Sequence, residues 1–269
     1  MSKIHSILLV KNEADVIEYC LREALRWSDY VYVYDGASTD GTWEIVSSMK
    51  SKHIIPFKQD GKVFSEGMRS EVYMAFRDQA APGDWWCQLN ADEFYIDDPK
   101  NFLAAVSPRC HVVWGLFVQY YLTDHDVSNL DFSLPCEELL PKLRHYRADW
   151  AERRFFRHRD GLKWDPRDAW PRHLGVSEER LIRFKHYPYR SPAQIQMRLD
   201  VRRDNRARGF EGWETARELT WKEKVVPANE LDVDREDGDF SVKVPLRGHL
   251  ETPTRRLIQR TMHTLRVWP

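Results

Sequence analysis

The chain is poor in the features that mark several common protein classes. Its 269 residues include only four cysteines: Cys20, Cys87, Cys110 and Cys136. No pair has C-x-x-C spacing and no histidine cluster accompanies them, which argues against a structural zinc site. Cys20 and Cys87 fall in apolar-periodic stretches and read as buried thiols, as expected in a reducing cytosol. No stretch reaches the roughly 18 apolar residues of a membrane span, and residues 7–10 are too few for a signal-peptide core. No G-x-G-x-x-G follows the first predicted strand, where the residues are Lys11-Asn12-Glu13. A dinucleotide fingerprint is therefore missing, and so is a P-loop. Net charge is also nearly absent, at −1, which gives no general signal for nucleic acid. Internal repeats and low-complexity tracts are lacking.

What remains is an ordinary globular composition, 42% hydrophobic and 31% charged, long enough for one large α/β domain and its core. The charge is unevenly placed. Between Lys142 and Arg208 there are 19 Lys+Arg against 9 Asp+Glu, a local balance of +10. A basic segment facing an acidic remainder suggests anionic groups nearby, such as phosphates or lipid headgroups.

The first hundred residues alternate strand and helix patterns. Strands are predicted at 4–10, 30–34, 53–57 and 85–89, and helices at 14–27, 42–49 and 66–79. That order predicts a mostly parallel sheet with helices on both faces. After Pro99 the pattern changes. A short helix is predicted at 101–106, and strands at 111–122, 153–157 and 181–187. Residues 191–208 read as a basic helix with Ser191 as N-cap and Pro192 in its first turn. Residues 229–240 read as an acidic loop. A final helix starts at Thr252-Pro253 and carries Arg255, Arg256, Arg260 and Arg266. It can pack on the body with a solvated basic face, or lie on an anionic membrane surface.

Two stretches carry the candidate chemistry. The first is Trp85-Trp86-Cys87-Gln88-Leu89-Asn90-Ala91-Asp92-Glu93, an apolar strand ending in adjacent carboxylates. In parallel α/β sheets ligands bind beyond the carboxyl ends of strands. Carboxylates there can hold a divalent cation, and a cation can hold a diphosphate. The alternative is that Asp92 caps a turn or helix. The second is the turn Asp35-Gly36-Ala37-Ser38-Thr39-Asp40-Gly41. Asp35 can accept from ribose hydroxyls or a base N–H, while Thr39 and Asp40 read as turn and cap residues.

Val10-Lys11-Asn12-Glu13, Tyr34 to Thr42, Asn90-Ala91-Asp92-Glu93-Phe94 and His186-Tyr187-Pro188-Tyr189-Arg190-Ser191 together resemble family 2 type glycosyltransferases with the GT-A fold. The resemblance covers the first hundred residues and resumes at His186. It implies a GT-A α/β fold, a mostly parallel central sheet with a C-terminal helical extension. The nucleotide-sugar half would span 1–98, the acceptor half 99–210, and the acidic loop with the helical extension 211–269. It further implies a nucleotide-sugar donor, a divalent cation (Mn²⁺ or Mg²⁺), a glycan or lipid-linked acceptor, no nucleic acid partner, and inverting transfer in the cytoplasm.

The family's Asp-x-Asp pattern stands here as Asn90-Ala91-Asp92. Asp92 matches the metal-binding acid, and Asn90 adds no charge but can bond a ribose hydroxyl. His186 matches the late histidine of the metal shell, a ligand type that suits Mn²⁺ better than Mg²⁺. Asn12, Glu13 and Arg69 are the further donor-side candidates. Glu13 can equally serve as a helix-start acid, and Arg69 as part of a solvated helix face. An inverting transfer needs a carboxylate base. The candidates are Glu152, Asp160, Asp165 and Asp168, with Asp168 preferred and Asp165 next. The subgroup's His-Glu pair has no match here. Trp164 and Trp170 flank that base and are the acceptor candidates; Trp213 and Trp221 are further tryptophans suited to sugar recognition or to core packing. A nucleotidyltransferase is the nearest rival class, but it would be expected to carry a glycine-rich basic loop after the first strand. A non-catalytic nucleotide- or carbohydrate-binding protein is the other.

Overall fold

The computed structural model describes residues 2–210, 218–245 and 247–269. The first half folds as β1 (Ile4–Val10), α1 (Ile17–Ala24), β2 (Tyr30–Asp35), α2 (Thr42–Ser48), β3 (Ile54–Gln59), α3 (Met68–Phe76) and β4 (Trp85–Leu89). The strands lie in the order β3-β2-β1-β4, all parallel. Both faces of this sheet are covered, so its strands are apolar almost throughout. Ile4, Leu8, Val31, Val33, Trp85 and Cys87 face one core with Ile17 and Leu21 of α1. Ile7, Tyr32, Tyr34 and Trp86 point the other way, onto Met68, Val72 and Tyr73 of α3.

The second half adds β5 (Glu93–Tyr95), α4 (Pro99–Ala104), β6 (Val112–Tyr120), α5 (Asp124–Asn129), α6 (Cys136–Leu139), β7 (His145–Arg157), β8 (Ser177–His186), α7 (Pro192–Ala207), β9 (Asp232–Val233) and α8 (Pro253–Thr264). β7 pairs antiparallel with β4 and carries the sheet onward through β6, β8 and β5. One sheet therefore runs through both halves, as the expected α/β architecture requires. Parallel pairing holds across β3-β2-β1-β4, and antiparallel neighbours enter with β7 and β5.

Several elements differ from the sequence reading: β5, α5 and α6 have no counterpart in it, and β8 begins at Ser177 rather than 181. β7 begins at His145, because its register with β6 continues to Tyr120↔Tyr146; its middle is polar and partly exposed and gives no apolar signal. α4 begins at Pro99, with the Asp98 carboxylate accepting from the Asn101 N–H at 2.7 Å. The acidic loop contains β9, held to β7 through His145↔Val233. The N-cap of α7 is as read: Ser191 Oγ accepts from the Gln194 N–H at 3.2 Å.

His5 is a buried titratable residue in a central strand. It is fully buried, its ring stacks on Trp86 at 4.8 Å, and its Nδ1 lies 3.0 Å from the Tyr32 hydroxyl. Burial lowers its pKa from 6.5 to about 4, against an opposing pull from Asp84. The native state thus keeps the ring neutral while the unfolded chain protonates it. The resulting stability is present above pH 6.5 and is lost as pH falls towards 4. Urea melts should show the wild type losing about 2 kcal/mol more than His5→Gln between neutral pH and roughly pH 4.5. Parallel losses in the two proteins would refute this.

Candidate active site

The carboxyl ends of β1, β2 and β4 open into a cleft of about 480 Å³. Its walls include Lys11, Asn12 and Glu13 after β1, Gly36 after β2, and Gln88, Asn90 and Asp92 at the end of β4. Arg69 enters from α3, Arg198 and Arg202 from α7, and Glu152 and Arg154 from β7. Trp170 comes from the loop before β8. That loop docks where Gly67 precedes α3: a Cβ there would fall 1.6 Å from the Pro166 carbonyl oxygen.

The three-residue strand β5 brings the two ends of the sequence motif together. Glu93 pairs with His186 in the β5–β8 register, and the Tyr187 N–H donates to the Asp92 carbonyl at 2.9 Å. Asp92, Glu93 and His186 consequently offer ligand atoms within 4.8 Å of one another. Asp92 Oδ2 lies 3.4 Å from His186 Nε2, and His186 Nδ1 is buried without a hydrogen-bond partner. A carboxylate beside an imidazole fits a first-row divalent cation such as Mn²⁺. Glu93 is engaged elsewhere. Its carboxylate accepts from Arg154 at 2.6 Å and from the Asn90 amide at 2.8 Å.

Two charge networks line the cleft. The first runs from Glu66 through Arg69, Asn90 and Glu93 to Arg154 and Glu152. Arg69 donates to Asn90 Oδ1 at 3.1 Å, and Arg154 lies 2.7 Å from Glu152. Asn90 thus accepts from a cation and donates to an anion. An aspartate there would set two carboxylates in contact, which gives the amide a physical reason. Burial raises the Glu93 pKa, against the opposing pull of Arg154. The second network joins Asp15, Arg190, Glu13, Arg198 and Asp92. Arg190 donates to Glu13 at 2.5 Å and to Asp15 at 2.9 Å, and Arg198 donates to Asp92 Oδ2 at 2.9 Å. Burial raises the Glu13 carboxyl pKa, although Arg190 opposes this. Burial would do the same to Asp92, but His186 and Arg198 hold it well below the usual range.

Asn12, Glu13, Arg69, Asn90, Asp92 and Trp170 all line the cleft. Asn12 also has a structural task. It sits in the left-handed region, at φ 56°, and its Oδ1 accepts from the Thr39 N–H at 2.8 Å. Asp35 lies just behind the wall formed by Tyr34 and Gly36. Its Oδ1 accepts from the Ser38 N–H at 2.7 Å, and its buried Oδ2 has no partner. Asp40 is a tie between helix starts, accepting from the Ala14 and Thr42 N–H groups, each at 3.0 Å.

Other expected residues lie apart from the cleft. Trp164 is core, packed with Tyr73 and Phe156, its Nε1 donating to the Asp168 carbonyl at 2.8 Å. Asp165 is bound by Arg167 at 2.8 Å, which holds its pKa well below the usual range. Asp168 is bound by Arg172 at 3.1 Å. Neither carboxylate is among the cleft residues, whereas Glu152 is. Trp221 packs half-buried against the core under α7. Trp213 lies outside the described residues. Arg154, Arg190, Arg198 and Arg202 were not singled out by the sequence. Arg190 stands within a motif already quoted and Arg154 within the strand predicted at 153–157, and the last two are spaced by one helical turn on a basic helix.

No protein-family model matches the sequence, and no curated protein does. Solved structures give distant matches. One is described as a glucose-1-phosphate thymidylyltransferase from Bacillus anthracis in complex with a sucrose: 10% identity, 44% of this chain, 55% of that one, TM-score 0.33. A mannosyl-3-phosphoglycerate synthase from Rubrobacter xylanophilus matches at 18% identity, over 51% of this chain and 49% of that one, TM-score 0.27. A 4-diphosphocytidyl-2C-methyl-D-erythritol synthase matches at 10% identity over 97% and 99%, TM-score 0.33. This chain thus spans about half of the first two. The fold description rests on the strand order itself.

Arg154 and Glu93 are both buried, and Arg154 also stacks on Phe117 at 4.6 Å. Removing one partner of such a pair leaves an uncompensated charge. Glu93→Gln should lower the unfolding free energy by about 3 kcal/mol. A urea titration checks this; an unchanged midpoint would mean that the pair contributes nothing.

Proposed function

We propose that this chain is a nucleotide-sugar-dependent glycosyltransferase that uses a divalent cation. The observation that carries the reading is that Asp92, in contact with His186 behind it, lines a cleft walled by arginines. Arg69 and Arg198 each have a buried Nε without a hydrogen-bond partner. Guanidinium groups pair well with phosphate oxygens.

In this reading the halves 1–98 and 99–210 form the donor and acceptor sides, and 211–269 forms an appendage. Asp92 and His186 hold the cation, Mn²⁺ or Mg²⁺, which neutralises the departing diphosphate when bound. Arg69 binds the same diphosphate. Asp35 shapes the nucleoside end of the cleft from behind its wall, its buried carboxylate holding the Ser38 N–H, beside Asn12 and Glu13. Trp170 offers an aromatic face to an acceptor sugar. Glu152 replaces Asp168 and Asp165 as the proposed base. It lines the cleft and takes the acceptor's proton as the sugar is transferred in a single inverting displacement.

A cytoplasmic location belongs to the same proposal and rests on four free thiols. Among the described residues no helix is long and apolar enough to cross a membrane. Peripheral contact rests on α8 and its C-cap, where Leu257 and Leu265 are 65% and 66% exposed among Arg255, Arg260 and Arg266. Such a face suits an anionic bilayer surface and a lipid-linked acceptor.

A thermal-shift panel of nucleoside diphosphates with Mn²⁺ tests the donor site, because ligand binding raises the unfolding midpoint. At least one should raise it, and Asp92→Ala should remove the shift. Glu152→Gln should keep the shift but slow turnover of the matching nucleotide-sugar by about 100-fold or more. A panel with no response from any nucleotide would sink the reading. For α8, the chain should co-sediment with phosphatidylglycerol vesicles but not with phosphatidylcholine alone. The double substitution Leu257→Glu and Leu265→Glu should release it. Wild type that stays in the supernatant with both vesicles would rule the contact out.

A further inference from the structure

Arg198 occupies an unusual place for a residue beside a cation site. Its guanidinium donates to Asp92 Oδ2 at 2.9 Å, the same oxygen that lies 3.4 Å from His186 Nε2. A divalent cation on that oxygen would meet the guanidinium at contact distance. Like charges that close repel strongly even at an effective dielectric of about 20. Arg198 must therefore leave Asp92 when the cation arrives.

The surroundings restrict where it can go. The groups facing it are Asp92, Glu13, Tyr189, Arg190 and Arg202, with Asp15 beyond Arg190. Glu13 Oε1 lies 3.8 Å from Arg198, and the charge of that carboxylate is already shared with Arg190, which holds its Oε2. Leaving Asp92 without a new anion would strand a half-buried cation beside a second one, which is costly. The cleft side is open to it, since Arg198 and Arg202 both line that wall from successive turns of α7. A diphosphate there would receive the displaced guanidinium.

We infer that Arg198 is a stand-in for the cation. It neutralises Asp92 when no cation is bound, and it turns to the diphosphate when cation and nucleotide enter together. The inference rests on the donor reading of the same cleft and adds a coupling to it. Cation and nucleoside diphosphate bind as a pair, each raising the affinity for the other. Arg198 is then a competitor of the metal in one state and a ligand of the leaving group in the next.

The test uses the full chain and follows free Mn²⁺ by electron paramagnetic resonance, with Arg198→Ala and Arg198→Met beside wild type. The methionine variant keeps the packing of the long side chain, and thermal melts confirm that each variant folds. Both variants should bind Mn²⁺ alone about tenfold more tightly than wild type, because the competitor is gone. At saturating Mn²⁺ both should bind UDP, GDP, CDP, ADP or dTDP, whichever wild type prefers, about tenfold more weakly. Mn²⁺ affinity that is unchanged or weaker in folded variants overturns the inference, as does a site that takes no Mn²⁺ in any form. A wild type that binds Mn²⁺ but none of the five nucleotides overturns the donor reading instead, and the Mn²⁺ comparison still decides whether Arg198 competes for Asp92.

Discussion

The candidate site depends on the pairing of a three-residue strand. β5 holds only Glu93–Tyr95, yet its antiparallel register with β8 sets Glu93 opposite His186. The Tyr187 N–H closes on the Asp92 carbonyl at 2.9 Å and fixes the residue just outside the strand. From that closure follow the Asp92–His186 contact, the approach of Arg190 to Glu13 and the placing of α7 across the mouth of the cleft. The strand is short because it has one task, to hold a loop carboxylate against a distant imidazole. Backbone hydrogen bonds do this at lower entropy cost than side chains could.

The charged groups then divide into two chains with different characters. The Arg69–Asn90–Glu93–Arg154 chain is largely buried and acts as a frame, with Arg69 Nε and Arg154 Nε left without hydrogen-bond partners. Gly115 lets it form, since a Cβ there would meet Phe184 at 2.6 Å and the Arg154 side chain at 2.7 Å. The Asp15–Arg190–Glu13–Arg198–Asp92 chain reaches the cleft and ends on the residue proposed to hold the cation. Buried ion pairs are poor sources of net stability, because desolvation offsets their attraction. Their value here lies in aiming the carboxylates and, at Asp92, in keeping the acid ionised against burial.

The core follows the pattern of the strands. Alternate residues of β1, β2 and β4 feed two separate cores, and those cores hold the three carboxyl ends level. Strands buried on both faces show period two only weakly, so 85–89 reads as a plain apolar run. Its boundary is nonetheless legible, because Asn90 and Asp92 end it. β7 is harder to read, because Asp149, Trp150 and Glu152 face outward or into the cleft and break the apolar signal. For the same reason Glu152 could be named as a carboxylate in the right region but not preferred over Asp168. Asp165 and Asp168 look similar to it in sequence, and all three carry arginine partners; what sets Glu152 apart is that it lines the cleft.

By itself the sequence determined the order of strands and helices in the first half, the Ser191 cap, the turn after β2 and the identity of Asp92 as an acid at a strand end. These are local properties, fixed by periodicity, turn chemistry and neighbours a few residues away. Tertiary structure alone decided which charges meet. Arg198 is 106 positions from Asp92, and Arg190 is 177 from Glu13. Their pairing depends on strand register and on the angle at which α7 leaves β8. It alone decided, too, that Trp164 is core while Trp170 faces the cleft, since the two rings differ in burial and hardly at all in local sequence.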